Sequence, residues 1–232
     1  MIALEPGLTG LFFRRLGQAV QSQFGPPKAV LVISAHTAMR NRSAADAVLL
    51  GAARHHAVYD FGDFDPRLNA LRYDAPGAPA YADEAAGLLQ RAGLRAQTIK
   101  QGGLDHGIWT AFRYLHPAAD WPIVPIAWGL DASAGELEHL GQALQPMVAQ
   151  GVWVVATGSI THNLARVFAN GAGRGLPDQT APEIPESLAF RSWWADRAEH
   201  SDAAALREWK RLAPHARDMH PTSEHLLPWF VA

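Results

Sequence analysis

The sequence predicts an α/β fold: a single domain over residues 1–232, with a mostly parallel central sheet flanked by helices. Two observations carry this. Short apolar runs rich in β-branched residues, at 28–36, 47–50, 57–60, 96–99, 123–128 and 152–155, alternate with longer segments of helical period. Such alternation favours strands joined by crossover helices. The run Val152, Val154, Val155 is apolar on both sides, which suits a strand buried on both faces of a parallel sheet. With 232 residues, 48% of them hydrophobic and 18% charged, the chain can bury a large core.

Taken in order, residues 7–24 form a helix with Leu8, Leu11, Phe12, Leu16 and Val20 on one stripe, ended by Pro26 and Pro27. A strand follows to His36. Asn41-Arg42-Ser43 is a loop, and His55 and His56 sit on a turn between two short strands. Adjacent side chains on extended backbone point to opposite faces, so this histidine pair makes a poor joint ligand. Residues 60–79 are aromatic and rich in Gly and Pro, as in a loop lining a pocket. A helix over 79–92 buries Tyr81, Ala85, Leu88 and Leu89 and stops at Gly93. Asp105 is a natural N-cap for a helix over 108–115, which puts His106 in or beside its first turn. Residues 133–150 are amphipathic, with Leu137, Leu140, Leu144 and Val148 inward and His139 in solvent. His162 and Asn163 open a helix over 161–168, a Gly/Pro loop spans 171–185, and helices cover 186–200 and 202–212. Trp193, Trp194 and Trp209 lie on the last two helices at core spacing.

Composition narrows the function classes. Net charge is -2 and no basic run is long enough for a nucleic-acid footprint. There is no apolar stretch of membrane length and no signal segment, so a cytoplasmic enzyme is expected. Cysteine is absent, which excludes disulfides, thiolate metal sites and a Cys nucleophile. Any metal must be held by imidazole and carboxylate, donors that suit iron, zinc or manganese.

The histidines stand out. The stretch 151–163 is an apolar strand, then Thr157-Gly158-Ser159, then His162; the stretch 28–36 is again an apolar strand ending in a histidine, His36. Carboxyl ends of strands in open α/β sheets are where ligands sit. His106, His220 and His225 also lie beside turns. The segment around Ser159 lacks the second glycine of a nucleophile elbow. No P-loop or Rossmann fingerprint is present. A mononuclear site with scattered histidine ligands, and further histidines for proton transfer, remains.

Five segments carry a resemblance. They are Ile33-Ser34-Ala35-His36, Tyr73-Asp74-Ala75-Pro76-Gly77, Gly103-Leu104-Asp105-His106-Gly107 with Trp109, Gly158-Ser159-Ile160-Thr161-His162-Asn163-Leu164, and His220-Pro221-Thr222-Ser223-Glu224-His225. In this order they resemble the class III extradiol ring-cleavage dioxygenases, in the DOPA-dioxygenase-like branch. The resemblance implies one non-haem Fe(II) or Zn(II) ion per chain, with a small aromatic diol and O2 as the reactants. It implies His36 and His220 as metal ligands, with His162 a further candidate ligand, and Glu224 and His225 in reserve. His162 is the implied acid/base, His106 a histidine of the substrate pocket, and Asp105, Trp109, Asn163, Tyr73 and His225 substrate-binding residues. Family members begin with a strand ending in a first metal-binding histidine, so the chain is expected to be cropped at both termini and to hold metal poorly. That favours a rival reading, a non-catalytic binding protein with a degenerate metal site on the same fold. The oligomeric state is left open.

Overall fold

The computed structural model describes residues 3–4, 7–40, 45–61, 65–169 and 182–232. The fold is α/β, and the chain divides into two compact units, Met1–Thr157 with Pro228–Ala232, and Gly158–Leu227. The expected loops at 41–43 and over most of 171–185 lie outside the described residues.

The first unit holds a five-stranded sheet: β1 (Val30–Met39), β2 (Ala47–Leu50), β5 (Ala96–Ile99), β6 (Ile123–Gly129) and β7 (Trp153–Thr157), in the order β5-β2-β6-β1-β7. Pairing is parallel throughout except between β2 and β6. β1 is an interior strand between β6 and β7, and Val30 to Ile33 are fully buried, as the β-branched run requires. It is longer than expected. Its register with β6 breaks between Ile33 and Ala38 before pairing resumes, and irregularities of this kind re-aim the side chains they contain. His36 lies inside this break and is exposed.

The helices of this unit are α1 (Gly7–Phe24), α2 (Pro79–Arg91), α3 (His106–Leu115) and α4 (Ala134–Ala149). α1 corrects the sequence reading. Its buried residues are Gly10 and Gly17, while Leu8 and Phe12 are 86% and 58% exposed. A Cβ on Gly17 would lie 1.8 Å from the carbonyl oxygen of Leu115, so α1 docks on α3 through its smallest residues. α4 is capped by Ser133 and Glu136 in a reciprocal box and buries Leu137, Leu140, Leu144 and Met147. Met147 takes the place expected for Val148, which is 51% exposed.

Residues 57–60 are not a strand. β3 (Arg54–His55) pairs instead with β4 (Ala75–Pro76), and Ala57 makes a single bridge to Leu104. His55 is buried in β3 and His56 is exposed, on opposite faces as extended backbone demands. Burial holds the His55 pKa below the ordinary histidine value, and His56 pushes the same way. Pro66–Ala70 forms a 3-10 turn capped by Asp65.

The second unit is helical: α5 (Leu164–Ala169), α6 (Pro185–Glu199), α7 (Ala203–Arg207), α8 (Trp209–Leu212) and α9 (Ala216–Met219). The helix expected over 202–212 is two, with Glu208 ending one and opening the other. Trp194 and Trp209 are core residues packed on Phe190, with ring centroids 6.2 Å away in both cases. Among the described residues no helix is long and apolar enough to cross a membrane.

Candidate functional site

In the first unit, His36, Asp60 and His106 offer ligand atoms that all lie within 4.8 Å of one another. The sequence pattern positions them. Ser34, buried at the end of the tightly paired part of β1, gives its Oγ hydrogen to Asp105 Oδ1 at 2.8 Å and accepts the His36 amide at 3.2 Å. Asp105 Oδ1 also accepts Gly107 N at 2.7 Å and Ile108 N at 3.2 Å, capping α3 as expected. Thr37 Oγ1 donates to Asp105 Oδ2. One carboxylate thus ties the exit of β1 to the start of α3 and brings the rings of His36 and His106 to a centroid distance of 3.9 Å. Gly107 permits this approach, since a Cβ there would meet Ser34 Oγ at 2.7 Å and His36 Cδ2 at 3.2 Å.

Asp60 is the member that sequence reasoning missed. Its Oδ1 lies 2.7 Å from His106 Nδ1 and accepts the His106 amide at 3.2 Å. Burial alone would raise the Asp60 pKa, but the hydrogen bond and charge of His106 outweigh it and hold the carboxyl below its ordinary value. The signal available in the sequence was an acid between two aromatics, Tyr59 and Phe61, in a segment otherwise too apolar to need one.

In the second unit, His162, Glu224 and His225 form another such group, again with ligand atoms within 4.8 Å. His162 and His225 stack at 3.4 Å between centroids and 14° between planes. His162 precedes α5 rather than lying on it, because Asn163 Oδ1 accepts Arg166 N at 3.0 Å and so caps the helix. The two segments are laced by main-chain bonds, Ser159 N to His225 O at 2.9 Å and His162 N to Met219 O at 2.9 Å. Asn163 Nδ2 donates to Asp218 O at 2.6 Å, and Arg166 pairs with the Asp218 carboxylate. Thr222 Oγ1 donates to Glu224 Oε1 at 2.8 Å.

His220 is in neither group of three, but the charges of His162 and Glu224 both act on it. It is 4% exposed, packed against Phe190 at 5.3 Å and Trp209 at 5.5 Å, and donates from Nε2 to Ile160 O at 2.7 Å. Burial holds its pKa below the ordinary value, with the charge of His162 acting the same way and the bond to Ile160 opposing. Three further candidates have polar groups engaged within the protein. Trp109 is fully buried and gives its Nε1 hydrogen to Val58 O at 3.0 Å. Tyr73 is 4% exposed, with its hydroxyl on His116 O at 3.1 Å. Asn163 is held by Asp218 and the α5 amide as described.

The family model for the catalytic LigB subunit of aromatic ring-opening dioxygenase matches residues 7–232. The chain belongs to this family. Among relatives of this LigB-family chain, a 4,5-DOPA dioxygenase extradiol of Beta vulgaris is 31% identical over 207 residues, covering 89% of the chain and 72% of the relative. A protein of the same name from Escherichia coli strain K12 is 30% identical over 233 residues, covering 98% and 78%. The crystal structure of an uncharacterized Escherichia coli K12 protein, JW3007, matches with a TM-score of 0.71 over 94% of this chain and 79% of that one, at 23% identity. That likeness supports the fold of the LigB-family chain.

Proposed function

We propose that the chain is a metal-dependent extradiol dioxygenase that opens a catechol ring with O2. The observation carrying this reading is that four of the histidines singled out in the sequence gather with carboxylates into two donor groups in a member of a ring-opening dioxygenase family. Imidazole nitrogen with carboxylate oxygen is the donor set that suits non-haem iron(II), and zinc accepts it too, so the residues present fit such an ion.

We assign candidate ligands within each unit taken by itself: His36 in the first, and His220 and His225, with Glu224 in support, in the second. His220 keeps the role that the motif match implied: its Nε2 hydrogen goes to Ile160 O, the outer bond that a ligating histidine typically makes, and its buried Nδ1 has no hydrogen-bond partner among the described residues. When bound, the metal supplies Lewis acidity toward the two catechol oxygens and open positions for small ligands. His162 takes a hydroxyl proton from the catechol and returns a proton later, work that an imidazole can do as general base and then general acid. His106 accepts a hydrogen bond from the substrate.

The names of the relatives make DOPA the first catechol to test. The experiment is metal analysis together with O2 uptake on DOPA for the wild-type protein and four single variants. His36→Ala and His220→Ala are expected to lose the metal, and His225→Ala to weaken its binding. His162→Ala is expected to keep it and to lose turnover by about 10²–10⁴. Metal lost from His225→Ala but retained by His220→Ala would move the ligand role from His220 to His225. A wild-type protein with no metal and no O2 uptake would favour the non-catalytic binding reading.

A further inference from the structure

We infer that Asp60 is a positioning residue that fixes the tautomer of His106, and thereby selects a substrate hydroxyl that arrives with its proton. The inference rests on the reading of His106 as a substrate-facing histidine. An ionised carboxylate only accepts, so its 2.7 Å contact with His106 Nδ1 requires the ring hydrogen to be on Nδ1. In the neutral ring that leaves the lone pair on Nε2, the reverse of the form favoured by free histidine. Outer carboxylates set histidine tautomer and orientation in many metalloenzymes.

The placement of Asp60 is built rather than incidental. Two positions before it the main chain is stapled on two sides, Val58 N to Leu104 O at 2.8 Å and Val58 O from Trp109 Nε1 at 3.0 Å. The following residue, Phe61, presents an edge contact to the His106 ring at 5.8 Å and packs on Trp109 at 6.0 Å. Asp60 Oδ1 also accepts the His106 amide, so ring and main chain are held by one oxygen. With the His36 ring tilted against it at 3.9 Å and Phe61 at its edge, the imidazole has little room to turn. The carboxylate therefore decides which nitrogen carries hydrogen. An Nε2 lone pair accepts from a neutral hydroxyl and cannot donate to an ionised one, so the favoured substrate at this position is the protonated member of a diol.

The test is nitrogen-15 NMR of the histidine rings in metal-stripped wild type, Asp60→Ala and Asp60→Glu, together with metal content and steady-state kinetics on DOPA for the loaded proteins. In wild type His106 should show hydrogen on Nδ1. Asp60→Ala should move it to Nε2, and Asp60→Glu should keep it on Nδ1. Turnover should fall about 10–100-fold in Asp60→Ala, in kcat more than in KM, with metal content unchanged, and Asp60→Glu should recover much of it. An unchanged tautomer in Asp60→Ala overturns the inference. Loss of metal in that variant overturns it in a different way, by making Asp60 a ligand. If wild type opens no catechol ring, the proposed function fails while the tautomer result still judges Asp60.

Discussion

Replacing Asp105 by alanine separates a structural from a substrate-binding role for this residue. Its Oδ1 serves the α3 amides of Gly107 and Ile108 and the Ser34 hydroxyl, and its Oδ2 serves Thr37. Loss of an N-cap costs about 1 kcal/mol. Ser34 is fully buried, and a buried hydroxyl left without its acceptor costs about 1–3 kcal/mol more. These contributions share one carboxylate and overlap, so Asp105→Ala should destabilise by about 2–4 kcal/mol. For a chain of this length that is a fall in Tm of about 4–16 °C. Asp105→Asn keeps an acceptor at the cap and should cost under about 1.5 kcal/mol. Urea unfolding followed by circular dichroism measures both. A loss below about 1 kcal/mol in Asp105→Ala would refute the tie between β1 and α3. A steep rise in KM for Asp105→Asn with stability intact would instead place the side chain on the substrate.

Tyr73 is expected to limit alkaline stability. Burial first, and then the charge of Asp120, raise its pKa above the ordinary phenol value. An unfolded tyrosine ionises near pH 10, so the stability present below that pH is lost as pH rises from about 10 toward the folded pKa. Urea unfolding between about pH 9 and 11 should show this loss in wild type and not in Tyr73→Phe; equal slopes would contradict it. Gly17→Ala should destabilise by about 1–3 kcal/mol despite alanine's better helix propensity, because the new Cβ meets a backbone oxygen. Gly135→Ala, with nothing within 4 Å of the added carbon, should be neutral or slightly stabilising by the same denaturation assay.

The sheet was legible because its strands are apolar runs, and the five strands stand where those runs stand, although β7, expected to be buried on both faces, is an edge strand and only half-buried along its length. What failed were inferences from periodicity about which side of a helix faces inward. In α1 the period of Leu8, Phe12 and Leu16 is real, but the face that docks carries glycines. A hydrophobicity pattern gives glycine no weight, although its missing Cβ is what lets two backbones meet. In α4 the error is one residue, Met147 for Val148. The flexible thioether fills the inward position, and the helical period alone does not separate neighbours 100° apart. The segment 57–60 failed for another reason. Its β-like residues are used for side-chain packing, Tyr59 and Phe61 against Trp109, and its main chain is taken by Trp109 and Leu104.

The histidines were legible one at a time, and their grouping was not. His220 and His225 sit five positions apart in one motif and offer the same chemistry, so nothing local separates their surroundings. Contacts distant in sequence make the difference. His220 meets Ile160 O, Phe190 and Trp209, which engage its Nε2, enclose its ring and leave its buried Nδ1 without a hydrogen-bond partner among the described residues. His225 is placed by its main chain: a Cβ on Gly158 would lie 2.1 Å from His225 O, and Ser159 N bonds that same oxygen. The small-residue step Thr157-Gly158-Ser159 reads in the sequence as a turn that lets the chain leave the sheet. Gly158 is not at a positive φ, so conformational freedom does not explain the residue. The passing backbone of residue 225 does. That close approach stacks the His162 ring on the His225 ring, so the glycine first read as a strand exit is also what joins the two histidines of this group.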